Sequence, residues 1–158
     1  MMARAENDGQ RRIVVGVDGS VPSKAALSWA MEQGRLTGAV VEAVIAWEFP
    51  ATYGYPVPVM DVDWEKQAQQ TVSQAVADVA SHAAPVKLTY KVIEGNAAEV
   101  LLDESAGADL LVVGSRGHGG FVEALLGSTG QHCVHHATCP VVVIRDSVTG
   151  RPPEGASR

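Results

Sequence analysis

Glycine recurs at Gly114, Gly117, Gly119, Gly120 and Gly127 within the stretch DLLVVGSRGHGGFVEALLGS, and Ser128 closes it. Residues without a Cβ let a phosphate approach backbone N–H groups, and a helix beginning near Ser128 would aim the positive end of its dipole at the same anion. A serine at that point also accepts a bond from the first free amides of the helix, the usual work of an N-cap. The stretch therefore reads as a loop that holds the phosphates of a nucleotide by main-chain donors. A turn that merely closes a strand–helix connection needs only the first two glycines; Gly127-Ser128 exceeds that need.

A second polar stretch, Asp18-Gly19-Ser20, ends another apolar run and offers a carboxylate. Asp18 suits a helix cap or a ligand contact, and one carboxylate can do both. Two commoner nucleotide motifs are absent: no P-loop lysine follows the glycines, and no G-x-G-x-x-G follows the first strand. His132 and His136 stand i, i+4, with Cys133, His135 and Cys139 nearby, but the spacing matches no structural zinc pattern. These histidines read as exposed polar positions, Cys133 as a small buried apolar residue, and no metal ligand is assigned. Ser115 lies in G-S-R-G, outside the G-x-S-x-G elbow of serine hydrolases. No obvious catalytic base lies in the phosphate loop apart from a distant candidate, Glu123, and no catalytic residue is assigned.

The elements that must position these groups follow from hydrophobic patterning. Ile13–Val17, Val40–Trp47, Leu88–Ile93, Leu110–Val113 and Pro140–Ile144 read as strands. Lys87 and Lys91 place the third of them towards an edge. Between them lie four helices. The first runs from Ser23 to Leu36, capped by Ser20 with Pro22 in its first turn, and turns Ala26, Trp29, Ala30 and Gln33 to one face. The second starts at Asp61 or Asp63 and carries Trp64, Ala68, Val72, Val76, Val79 and Ala83 as a stripe until Pro85. The third follows Asn96 to about Ser105 with Val100 and Leu101 inward, and the fourth spans 128–137. Glu48 to Met60, with three prolines, is a loop. Alternating strands and helices predict an α/β fold, a single-domain Rossmann-like five-stranded parallel sheet with helices on both faces. Ligands of such sheets sit beyond the carboxyl ends of the strands where the strand order reverses. If the first and fourth strands are neighbours there, Asp18 and the glycine loop share one crevice.

With 158 residues the chain has the length of one domain, and 46% hydrophobic against 19% charged residues exclude a disordered chain. A net charge of −6 excludes a phosphate-neutralising nucleic-acid surface. No apolar run reaches the roughly 20 residues of a membrane span. The start MMARAENDGQRR lacks the apolar core of a secretory signal. With two cysteines taken as reduced thiols, these features lead to an expected cytoplasmic location. Residues 1–10 and 146–158 are expected to be flexible ends around a folded segment 11–145.

Gly114-x2-Gly117-x9-Gly127-Ser128 resembles the nucleotide-binding signature of the universal stress protein family. The resemblance extends to Val15-Gly16-Val17-Asp18-Gly19-Ser20, to Glu94-Gly95 with Ala98-Glu99-Val100-Leu101, to Ala108–Gly114 and to His136–Val143. It implies the adenine-nucleotide-hydrolase-like fold and ATP as ligand, with Mg2+ left open. Asp18 would then bond the ribose hydroxyls, Gly16 would let the nucleoside pack on the first strand, and backbone near Ala46 would meet adenine. Gly114, Ser115, Gly117, His118, Gly119 and Gly120 would wrap the phosphates, Arg116 would add charge, and Gly127, Ser128 and Thr129 would donate from the last helix. A homodimer paired through Val141–Ile144 is also implied. Two departures from the family stand out: Thr129-Gly130 replace a β-branched apolar residue and serine, and His118 stands where a basic residue is common. The expected function is an ATP-binding stress-response module with at most slow hydrolysis. The alternatives are a phosphate-cleaving nucleotide hydrolase of the same fold and a stress-protein fold that no longer binds nucleotide.

Overall fold

A computed structural model describes residues 9–49, 62–80, 86–115 and 126–145. Along the chain run β1 (Arg12–Gly16), α1 (Val21–Thr37), β2 (Val40–Trp47), α2 (Trp64–Ala80), β3 (Leu88–Glu94), α3 (Ala97–Ser105), β4 (Leu110–Gly114), α4 (Ser128–His136) and β5 (Val141–Ile144). The strands form one sheet in the order β3-β2-β1-β4-β5, with every pairing parallel. The chain steps outward from β1 through β2 to β3, then returns over the sheet to β4. The order thus reverses between β1 and β4, and the two predicted site segments meet.

Each strand divides its side chains between two cores, as period-two alternation requires. Ile13, Val15 and Val17 pack with Val112 beneath α1 and α2, whereas Val14, Leu111 and Val113 pack beneath α3 and α4 with Cys133. Val14, Val15, Leu27, Val41, Leu111 and Val112 are fully enclosed. Each such side chain contributes about 1.5–3 kcal/mol of transfer free energy. The third strand lies at an edge, as Lys87 and Lys91 imply, and β5 forms the other edge.

Local chemistry sets the element ends. Ser20 caps α1 by accepting from the Ser23 amide, with Pro22 in the first turn. Gly38 closes the helix at φ 77°, a left-handed conformation that suits glycine. Asn96 caps α3 by accepting from the amides of Ala98 and Glu99. Of the two aspartates proposed to start α2, Asp63 does so, its Oδ1 accepting from the Lys66 amide; Asp61 and Ala83 lie outside the described residues. Two readings are corrected. The inward face of α1 is Ser23, Ala26, Leu27, Ala30, Met31 and Gly34, with Trp29 and Gln33 on its flank. The N-cap of α4 is Gly127, not Ser128, and no side chain caps that helix. Glu42 is buried on β2, where its carboxylate lies 3.3 Å from Arg12 and 2.9 Å from Lys91. That pairing is what a charge at this depth requires.

Candidate functional site

The carboxyl end of β1 continues as Val17, whose N–H donates to the Val44 carbonyl at 2.9 Å, and then as Asp18. The Asp18 Oδ1 accepts from the Ser20 amide at 2.9 Å and from the Ser20 hydroxyl. The Ser23 hydroxyl accepts from the Asp18 amide and donates to the Ser20 carbonyl. Gly19 makes the turn at φ 83°. The β1–α1 junction therefore holds Asp18 in a fixed orientation while Ser20 caps the helix.

Asp18 borders a cavity at the sheet's switch point. One wall is Gly16, Val17 and Asp18 from β1 with Val44 and Ala46 from β2; a second is Ala97 and Leu101 from α3; the far side is Val113, Gly114 and Gly127–Gly130. Its volume is about 120 Å³. A buried water needs only about 10–15 Å³, so the space is much larger than a single-water packing defect. The first amides of α4 have no intrahelical partner and no side-chain cap, and the residues that carry them line the cavity. An anion there meets free main-chain donors and the positive end of the helix.

Two glycines shape these walls. A Cβ at Gly16 would lie 2.7 Å from Leu101 Cδ1, so Gly16 lets α3 press Leu101 against the sheet and forms the floor itself. A Cβ on Gly130 would lie 2.6 Å from Leu126 Cδ1. This explains the departure at Thr129-Gly130: a helical glycine costs about 1 kcal/mol relative to alanine, and here it lets Leu126 fold onto the first turn.

Of the residues expected at the site, Gly16, Asp18, Ala46, Gly114, Gly127, Ser128 and Thr129 line the one cavity. Ser115 does not. It is buried, its N–H donates to the Ile144 carbonyl at 2.8 Å, and its carbonyl accepts from the Gly127 amide at 2.6 Å. Ser115 thus anchors the segment that carries Gly127. Arg116, Gly117, His118, Gly119, Gly120 and the acid Glu123 lie outside the described residues. Sequence reasoning missed Ala97 and Leu101 as a wall. Their i, i+4 spacing directly after the Asn96 cap was the available signal, because it turns both to the side facing the strand ends.

Beneath α4, Cys133 is fully buried, and that burial pushes its thiol up to about 11, with Cys139 adding to the shift. A thiol so placed is inert. His132, His135 and His136 are exposed, and among the described residues no group of three His, Cys, Asp or Glu is arranged to hold a metal. No described helix is long and apolar enough to cross a membrane.

The family model described as the universal stress protein family matches residues 10–145. A universal stress protein of Mycobacterium tuberculosis is 32% identical over 143 residues, which cover 89% of this chain and 47% of the relative. The chain spans about half the length of the curated relatives it matches. Among solved structures, universal stress protein UspA from Lactobacillus plantarum is 26% identical with a TM-score of 0.67, covering 85% of this chain and 97% of its own. A universal stress protein in complex with cAMP is 22% identical with a TM-score of 0.66, the match covering 87% and 98%. One from Archaeoglobus fulgidus in complex with dAMP is 24% identical with a TM-score of 0.61, covering 85% and 97%. By the match along almost its whole described length, this chain belongs to the universal stress protein family.

Proposed function

We propose that this chain binds an adenine nucleotide, with ATP as its ligand, and serves as a nucleotide-dependent module of a stress response. The observation that carries the proposal is one cavity shared by three features: the Asp18 carboxylate, the uncapped first turn of α4, and an apolar wall of Val44, Ala46 and Leu101. In this reading the flat base lies on the apolar wall and Asp18 accepts from the ribose hydroxyls. The amides of Ser128 and Thr129 donate to phosphate. Gly114, Gly117, Gly119 and Gly120 close over the triphosphate with Arg116 and His118. The related structures solved with cAMP and dAMP support the adenosine part of this assignment.

Asp18 is the only carboxylate of the cavity wall among the described residues. A Mg2+ ion accompanying ATP would therefore take most of its ligands from phosphate and water, as this ion generally does. With no positioned base beside the phosphate end among the described residues, hydrolysis is slow or absent, and the module works by occupancy. The place of the half-buried β5 at the end of the sheet supports pairing of two chains through Val141–Ile144, and the proposed location is the cytoplasm.

Isothermal titration with ATP, ADP and AMP, with and without Mg2+, tests the proposal. One nucleotide per chain is expected, with affinity falling as phosphates are removed. Absence of binding to any adenine nucleotide at about 1 mM, equivalent to roughly −4 kcal/mol, would overturn it. Equal affinity for ATP and AMP would remove the triphosphate assignment. Rapid metal-dependent release of phosphate would replace the binding module with a hydrolase.

A further inference from the structure

The nucleotide reading uses the first turn of α4 and leaves the rest of the helix unexplained. Its last turns carry three histidines, all exposed. We propose that His132 and His136 form a bidentate site for a borderline divalent transition-metal ion of the Zn2+, Ni2+ or Cu2+ class.

The i, i+4 spacing places both imidazoles on one face of a rigid helix, one turn apart. Their ring centroids are 4.6 Å apart, with planes inclined at 42°. That separation suits a shared ion. With metal–nitrogen bonds of about 2.0–2.1 Å, each ring centre stands about 3.2 Å from the metal, and ligand angles of about 90–110° set the centres about 4.5–5.2 Å apart. The observed spacing falls inside this window, so the helix brings the two rings to a separation that one ion can bridge. His135 lies 6.4 Å from His136, beyond the window, on a different side of the helix. Position on the helix adds to the case: α4 ends at His136, where the negative end of the dipole favours a cation.

Imidazole selects Zn2+, Ni2+ and Cu2+ over Mg2+ or Ca2+, which prefer oxygen. Among the described residues no third protein ligand joins the pair. The remaining coordination positions are therefore open to water or to a ligand from outside, as in a sensing or exchangeable site. His136 ends α4 and His132 stands at its midpoint, one turn beyond Ser128, and neither histidine lines the cavity.

The test uses the full chain without a histidine tag, titrated calorimetrically with Zn2+ or Ni2+ alone. One ion per chain is expected. His132→Ala and His136→Ala should each weaken binding by roughly tenfold or more, because the second nitrogen no longer binds intramolecularly. His135→Ala should bind like the wild type. All three side chains are exposed, and circular dichroism with thermal melting checks that each variant remains folded. Absence of Zn2+ and Ni2+ binding overturns the proposal. So does an equal loss in His135→Ala, binding that survives in the His132→Ala/His136→Ala double variant, or a stoichiometry of one ion per two chains. Nucleotide titration of the same variants should be unchanged, which separates this site from the cavity, whose wall includes neither histidine.

Discussion

Replacing Gly114 and Gly16 with alanine tests the site's architecture, because the same added methyl meets two kinds of neighbour. A Cβ at Gly114 would lie 2.8 Å from the Pro22 carbonyl carbon and 2.9 Å from both its Cβ and its oxygen. Two of these atoms belong to the main chain of α1, which is pinned by its Ser20 cap, and β4 is held between β1 and β5. Neither side can retreat without moving an element. Overpacking of this kind costs about 1–3 kcal/mol, and two rigid partners place Gly114→Ala at about 2–3 kcal/mol. For a chain of this size each kcal/mol lowers Tm by about 2–4 °C, so a fall of about 4–12 °C is expected. A Cβ at Gly16 meets Leu101 Cδ1 at 2.7 Å and Cδ2 at 3.3 Å, the free end of a side chain. Leu101 can leave its rotamer for about 0.5–1.5 kcal/mol, but the direction open to it is the cavity. Gly16→Ala should therefore melt within a few degrees of the wild type, on the order of its 0.5–1.5 kcal/mol, while ATP affinity drops about tenfold, worth about 1.4 kcal/mol. Thermal melts followed by circular dichroism, paired with calorimetric titration, read both quantities. A Gly114→Ala variant more stable than Gly16→Ala, or unchanged ATP binding by Gly16→Ala, refutes the reasoning.

Asp18→Asn keeps an acceptor for the Ser20 amide and should preserve the fold while weakening nucleotide binding about tenfold, as loss of a charged hydrogen-bond acceptor implies; titration and melting together decide it. At pH 8 the native chain should expose one rapidly reacting thiol to a disulfide reagent, the half-buried Cys139, and two after denaturation, because Cys133 is enclosed and its thiol is raised to about 11. Since the folded value lies above the unfolded one, the stability this thiol contributes is complete below about pH 9 and lost as pH rises towards 11. The loss is at most on the order of 3 kcal/mol; urea unfolding at pH 8 and pH 10 should be less pH-dependent in Cys133→Ala. The Pro140 carbonyl just before β5 accepts from the Leu111 amide and the Ile144 carbonyl from the Ser115 amide, and the parallel ladder's alternation turns the Val143 amide outward. Val143→Pro should thus abolish edge pairing, giving a monomer by light scattering, while ATP binding persists.

The three central strands were legible because they are buried on both faces, and Val14-Val15 or Leu111-Val112 cannot serve an exposed element. The caps at Ser20 and Asn96 were legible because their short side chains reach the amides that helix geometry leaves open. The inward face of α1 was harder. Met31 and Gly34 are buried, and Gly34 sits where a Cβ would lie 2.9 Å from both Val41 and Val86. Such a contact depends on residues distant in the chain, not on helical period. The same holds for Leu101: its place in the cavity wall follows from α3 crossing over β1, a tertiary fact that local pattern does not contain. Ser128 shows a third limit. Its type suits a cap, yet Gly127 takes that position because its amide is bound to Ser115, which sets where the helix begins. An uncapped helix start is therefore a feature of the site that composition alone conceals.

Titration of the isotope-labelled chain with ATP, followed through backbone amide resonances, tests the central claim most directly. The account predicts saturable shifts at Gly16, Val17, Asp18, Ala46, Gly114 and Gly127–Gly130, with Arg12, Val40 and Asp109 at the opposite ends of the strands unmoved. Shifts confined to those opposite ends, or no shifts at saturating nucleotide, would contradict it.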